Sequence, residues 1–128
     1  MWSVILVAAG GGLGAVSRLG TSLLALKLWG PRFPYGTLIV NSFGSFLAGF
    51  LMILLLERFA VSDYWRLFFM VGFLGGFTTF SSFSWETWML YQDSQYWIAC
   101  LNVVLNNFLA LGLAFLGMHL GRWLGGIY

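Results

Sequence analysis

The chain has 128 residues, 60% hydrophobic, 20% aromatic and 8% charged, with a formal net charge of +2 and a mean hydropathy of +0.88. This composition excludes disordered, disulfide-scaffold and ordinary water-soluble classes, and makes a bilayer the expected solvent of a single domain over residues 1–128. The charge is too small and scattered for a nucleic-acid partner, and the one cysteine, Cys100, has no partner for an intramolecular disulfide and no metal-type spacing around it.

Four apolar spans are predicted, near 3–27, 36–56, 66–91 and 97–122. Each has the roughly 20 residues that a helix needs to cross about 30 Å of hydrocarbon. The N-terminus, Met1-Trp-Ser-Val, lacks a basic run, so no cleaved signal peptide is expected. The first span carries Arg18 in Gly14-Ala-Val-Ser-Arg18. An arginine at a helix centre costs about 2.5–3.5 kcal/mol on insertion scales unless it snorkels to the interface. Arg18 therefore either snorkels or stands at a vestibule, where its charge attracts anions. Trp29-Gly-Pro-Arg-Phe-Pro34 ends the span, because Pro31 and Pro34 disfavour helix before them.

The second span opens with Gly36-Thr-Leu-Ile-Val-Asn41, and Ser45 follows Asn41 one turn later on the same face. A polar connection from Glu57 to Arg66 leads into the third span, which departs from a plain anchor. Its middle reads Gly72-Phe-Leu-Gly-Gly-Phe-Thr-Thr-Phe-Ser-Ser-Phe-Ser84. Glycines and hydroxyls weaken a helix where lipid supplies no hydrogen bonds, and irregular backbone at that depth is tolerated only inside protein or beside water. A helix broken at the midplane is predicted, of the kind that presents carbonyls and helix ends to ions. Glu86 is the only acid well inside a span. It reads either as a proton or cation site or as a buried support for a neighbouring hydroxyl. Gln92 to Gln95 forms a polar turn. The fourth span then repeats the Asn spacing as Asn102 and Asn106, with Asn107 beside them.

Tyr and Trp residues gather at the span ends, where an interfacial belt belongs. Small residues four apart (Gly10 and Gly14, Ser45 and Gly49, Gly117 and Gly121) let helix backbones approach closely. Four short helices hardly enclose a pore alone, so a homo-oligomer is expected. Amide and hydroxyl donors without carboxylate rings suit an anion rather than a cation. Phe80 and Phe83 share a helix face. They either pack, or turn the positive edges of their rings toward a small anion.

Together these segments resemble the Fluc/CrcB family of fluoride channels. The matching motifs are Gly14-x3-Arg18, Gly36-Thr-Leu-x-Val-Asn41-x2-Gly44-x-Phe46-x2-Gly49, and Gly72-x2-Gly75-Gly76-x-Thr78-Thr79-Phe80-Ser81-x-Phe83-Ser84-x-Glu86. The likeness covers essentially the whole chain. It implies an all-α membrane protein of four transmembrane helices, the third broken, assembled as a dual-topology antiparallel homodimer in the plasma (inner) membrane. It implies passive, selective export of fluoride that relieves fluoride toxicity, and no enzymatic activity. By this resemblance Phe80 and Phe83 match the pathway phenylalanines and Asn41 the pore asparagine. Thr37, Ser82 and Glu86 match polar positions along the track, and Arg18 the basic residue near the vestibule. Backbone carbonyls of Gly75 and Thr78 from both subunits match a structural Na⁺ site. The fourth span departs from the family pattern. Asn102 and Asn106 occupy the face where the family commonly places hydroxyls, and Ala110 adds no polar group.

Charge near the span ends agrees with dual topology. Arg58, Arg66 and Arg122 lie on the N-terminal side, against Lys27 and Arg32 on the other. The competing reading is a small proton-coupled multidrug exporter, also four-helical and dimeric. That activity needs a titratable carboxylate, typically in the first helix, where this chain has Arg18 and no acid. A structural anchor leaves the Gly-Gly-x-Thr-Thr sequence unexplained.

Overall fold

The computed structural model describes residues 1–126, all of whose regular structure is helical. Helix α1 (Trp2–Trp29) ends at Gly30, which has φ 81° and returns its N–H to the Leu26 carbonyl at 2.8 Å. Glycine takes that left-handed conformation without steric cost. After the Pro31–Pro34 loop, α2 (Tyr35–Met52) continues into wider turns, π1 (Ile53–Arg58). The third span is assembled from α3 (Asp63–Arg66), the wide turns of π2 (Leu67–Leu74), α4 (Gly75–Phe77) and α5 (Phe80–Gln92). Thr78 (φ −86°, ψ 156°) and Thr79 (φ −150°, ψ 119°), between α4 and α5, are extended. Helix α6 (Tyr96–Gly125) completes the described chain.

Among the described residues, four segments are long and apolar enough to cross a membrane: Trp2–Trp29, Tyr35–Arg58, Asp63–Gln92 and Tyr96–Gly125. The burial pattern is that of a protein dissolved in lipid. Leu13, Val16, Leu19, Phe108 and Leu111 point outward, whereas Thr37, Asn102 and Asn106 are buried. Hydrocarbon welcomes the first set, and only protein can satisfy the second.

Glycine fixes the two main seams. α1 packs on π2 and α4, and α2 packs on α6. A Cβ at Gly14 would collide with the Phe73 carbonyl oxygen, and one at Gly76 with the Gly11 carbonyl. On the other seam, a Cβ at Gly49 would strike the Ala114 carbonyl and one at Gly117 the Phe46 carbonyl. The small-residue spacing therefore serves packing inside the chain, backbone against backbone. Because a rigid backbone atom blocks each site, Gly14→Ala and Gly117→Ala should each destabilise by about 1–3 kcal/mol or more, the usual cost of overpacking. Gly112→Ala, whose Cβ meets open space, should be neutral. Thermal unfolding in detergent checks the contrast, and equal melting temperatures for all three variants would refute the seams.

Candidate functional site: an amide-held link in the third span

The extended residues Thr78 and Thr79 interrupt the helical hydrogen-bond ladder, so each displaced backbone group needs another partner. Asn41 of α2 meets two of those needs. Its Oδ1 accepts the Thr79 N–H at 2.8 Å, and its Nδ2 donates to the Thr79 carbonyl at 3.0 Å. Thr79 Oγ1 accepts the Ser82 N–H at 3.1 Å and so caps α5, as a hydroxyl before a helix commonly does. Thr78 closes the preceding turn, its N–H and hydroxyl both donating to the Leu74 carbonyl at 3.0 and 2.9 Å. Arg18 Nε donates to the Gly76 carbonyl at 3.0 Å. A guanidinium there also complements the negative end of the helical segment.

These partners leave a specific deficit. In a continuous helix the Gly75 carbonyl takes the Thr79 N–H and the Thr78 carbonyl takes the Ser82 N–H. Here the first goes to Asn41 and the second to the Thr79 hydroxyl. The two carbonyls that the family resemblance matches to a cation are thus among those whose helical donors are diverted. Gly75 is exposed on the single chain, with open space where a Cβ would stand. Among the described residues no group of three or more His, Cys, Asp or Glu could hold a metal. Hard, neutral carbonyl oxygens are a donor set that fits an alkali cation rather than a transition metal.

Behind the link, α6 supplies a second tier. Asn41 Nδ2 also donates to Asn106 Oδ1 at 3.0 Å. Asn106 Nδ2 donates to the carbonyl oxygen of Asn102 at 3.0 Å and to its Oδ1 at 2.9 Å. Asn102, 0% exposed, donates from Nδ2 to Thr87 Oγ1 at 2.9 Å, and Thr87 donates to the Phe83 carbonyl at 2.8 Å. One turn from Asn41 along α2, the Thr37 hydroxyl donates to Glu86 Oε1 at 2.5 Å.

The ring centroids of Phe80 and Phe83 are 5.4 Å apart at an interplanar angle of 67°, an edge-to-face pair. Phe83 is 7% exposed and Phe80 75%. Asn41, Gly75, Thr78, Phe80, Phe83 and Asn106 all line one cavity of about 490 Å³. Thr37 and Glu86 line a separate one of about 370 Å³, with Tyr35, Trp85 and Asp93. Ser82 lines neither cavity and joins the cluster through its backbone N–H. Asn102 lies behind Asn106. Arg18 approaches the link from α1.

Two residues escaped the sequence reading in these roles. Thr79 had a usable signal, because Thr79-x-x-Ser82 places a hydroxyl before a new helix. Thr87 had none, since its partner Asn102 comes from another helix.

Four lipid-compatible helices around buried amides and hydroxyls define a small multi-pass membrane protein with a polar interior. The chain belongs to the CrcB family: the model of the family described as "CrcB-like protein, Camphor Resistance (CrcB)" matches residues 5–118. It is similar to proteins named "Fluoride-specific ion channel FluC". The one from Coxiella burnetii (strain CbuK_Q154) is 48% identical over 123 residues, covering 95% of this chain and 99% of that protein. Those from Legionella pneumophila (strain Paris) and Sulfurihydrogenibium sp. (strain YO3AOP1) are each 44% identical. They cover 91% and 97% of this chain, and 87% and 100% of their own lengths.

Proposed function

We propose that this chain forms a fluoride-selective channel of the plasma membrane, passing fluoride down its gradient and so relieving fluoride toxicity. Near-full-length identity of 44–48% to proteins named fluoride-specific channels carries the reading. The donor-rich, acid-poor surroundings of the Thr78–Thr79 link support it, since a small anion needs N–H, O–H or ring-edge contacts in place of water. Phe80 and Phe83 provide ring edges in the pathway. Asn41, Thr37, Ser82 and Glu86 make up its polar track, with Asn106 and Asn102 backing Asn41 from the fourth helix, and Arg18 gives the vestibule its positive charge. Purified protein in liposomes should release fluoride and retain chloride. Equal rates for the two anions, or a strict need for a proton gradient, would refute the channel and favour the exporter reading.

The working unit in this proposal is an antiparallel homodimer with the third helix broken at the midplane. Phe80, largely exposed on one chain, would then be covered by a second copy. Gly75 and Thr78 would hold a Na⁺ through their carbonyls, two from each copy on the symmetry axis. Such an ion supplies a fixed positive charge that satisfies carbonyl oxygens and ties the copies together. Near-balanced flanking charge supports insertion in both orientations. Reporter fusions after Tyr128, a position outside the described residues, should therefore give signal from both sides of the membrane. Lysines added to bias one orientation should abolish flux until an oppositely biased copy is co-expressed. Full activity in a one-sided population would overturn the antiparallel dimer.

A further inference from the structure

Each amide hydrogen of Asn41 and of Asn106 is already committed inside the protein. Asn41 Nδ2 donates to Thr79 O and Asn106 Oδ1, and Asn106 Nδ2 to Asn102 O and Asn102 Oδ1. Backbone groups fix the direction of the whole run. The Thr79 N–H can only donate, so it must face Asn41 Oδ1. The Asn102 carbonyl can only accept, so it must face Asn106 Nδ2. Amide orientation is therefore set by chemistry at both ends, and neither asparagine can flip without opposing like groups. The far end returns to the pathway, because Thr87 receives Asn102 Nδ2–H and passes its own proton to the carbonyl of Phe83.

We infer that Thr87, Asn102 and Asn106 are positioning residues: a one-directional hydrogen-bond relay that clamps the Thr78–Thr79 link and the Phe83 turn to α6 and acts on fluoride through the backbone and rings it holds in place, not by direct contact. In this arrangement Asn106, the relay member that lines the cavity, offers the ion no free amide hydrogen. Asn102 and Asn106 hold the backbone that shapes the pathway, in the place where hydroxyls would be free to turn toward an anion. Burial makes the relay consequential, since Asn102 and Asn106 are 0% and 5% exposed and a broken member would strand polar groups out of reach of water. The inference rests on the fluoride-channel reading for its functional consequence, although the relay itself does not depend on which ion passes.

Thr87 provides the test, because it lines neither cavity and valine reproduces its shape without the hydroxyl. Thr87→Val, Thr87→Ser, Asn106→Leu and the Thr87→Val/Asn106→Leu pair would be compared in liposomes. Fluoride efflux would be read per intact protein, together with the ¹⁵N NMR signal of the Thr79 amide. Thr87→Val should lower flux about 3- to 15-fold, the range for one interhelical hydrogen bond in a membrane. It should also shift the Thr79 amide signal from four hydrogen bonds away, and Thr87→Ser should restore both. The paired variant should lose less than the product of the single losses, as members of one relay do. Unchanged flux and an unchanged Thr79 signal in Thr87→Val, with Asn106→Leu still impaired, would overturn the relay and make Asn106 a direct contact. If wild-type protein moves no fluoride, the channel reading fails, while the Thr79 signal in Thr87→Val still judges the relay.

Discussion

Phe83→Ile and Phe80→Ile should each cut fluoride efflux by up to about tenfold, the factor that an edge contact at the upper value for ring pairs, about 1.5 kcal/mol, corresponds to. Isoleucine keeps an apolar side chain and discards the ring quadrupole, so the comparison isolates the positive edge. The two positions differ in a useful way. Phe83 is 7% exposed and its replacement also disturbs packing, whereas Phe80 is 75% exposed on the single chain. Phe80→Ile should therefore leave the fold of one chain intact while removing the edge-to-face arrangement of the pair. Flux measured per folded protein and normalised to wild type checks both variants. Wild-type rates in both would show that the rings only pack.

Asn41→Asp should be the most damaging single substitution in the site. A fixed charge about 4 Å from the path of an anion raises its barrier by about 4 kcal/mol at an effective dielectric of about 20, or about a thousandfold in rate. The hydrogen-bond pattern compounds the loss. Aspartate keeps an acceptor for the Thr79 N–H but sets its second oxygen against Thr79 O and Asn106 Oδ1, both acceptors. Asn41→Ala removes the same bonds without adding charge, so its flux should fall less. Equal losses in the two variants would place the charge outside the path. Wild-type flux in both would reduce Asn41 to packing.

Apolar length and turn residues made the four spans legible to within a few residues. The first was predicted near 3–27 and runs Trp2–Trp29, and the fourth was predicted near 97–122 and runs Tyr96–Gly125. Pro and Gly gave the loop after α1, where Gly30 adopts the left-handed backbone. The wide turns of Leu67–Leu74 were not legible, because their residues are ordinary membrane apolars with no local signal for a wider turn. Asn41 was legible as a polar residue in a span, but its two bonds to Thr79 join positions 38 residues apart. Arg18 met its partner Gly76 across 58 residues. Its composition-based readings, snorkelling and vestibule, concerned charge and solvent and named no backbone acceptor. Local pattern reveals which residues are polar in lipid, and the choice of partner belongs to tertiary geometry.

The glycine seams carry a consequence for genetics. Along them no side chain separates the backbones, so no rotamer can absorb an added methyl group. A random screen for fluoride-sensitive cells should therefore recover Gly14, Gly49, Gly76 and Gly117 alongside Asn41 and Phe83, although a methyl added to any of these glycines strikes the backbone of a neighbouring helix. Phenotype alone would merge two kinds of lesion: absent protein and silent protein. Immunoblots of the membrane fraction would separate them, with seam alleles depleted and pathway alleles present at normal abundance.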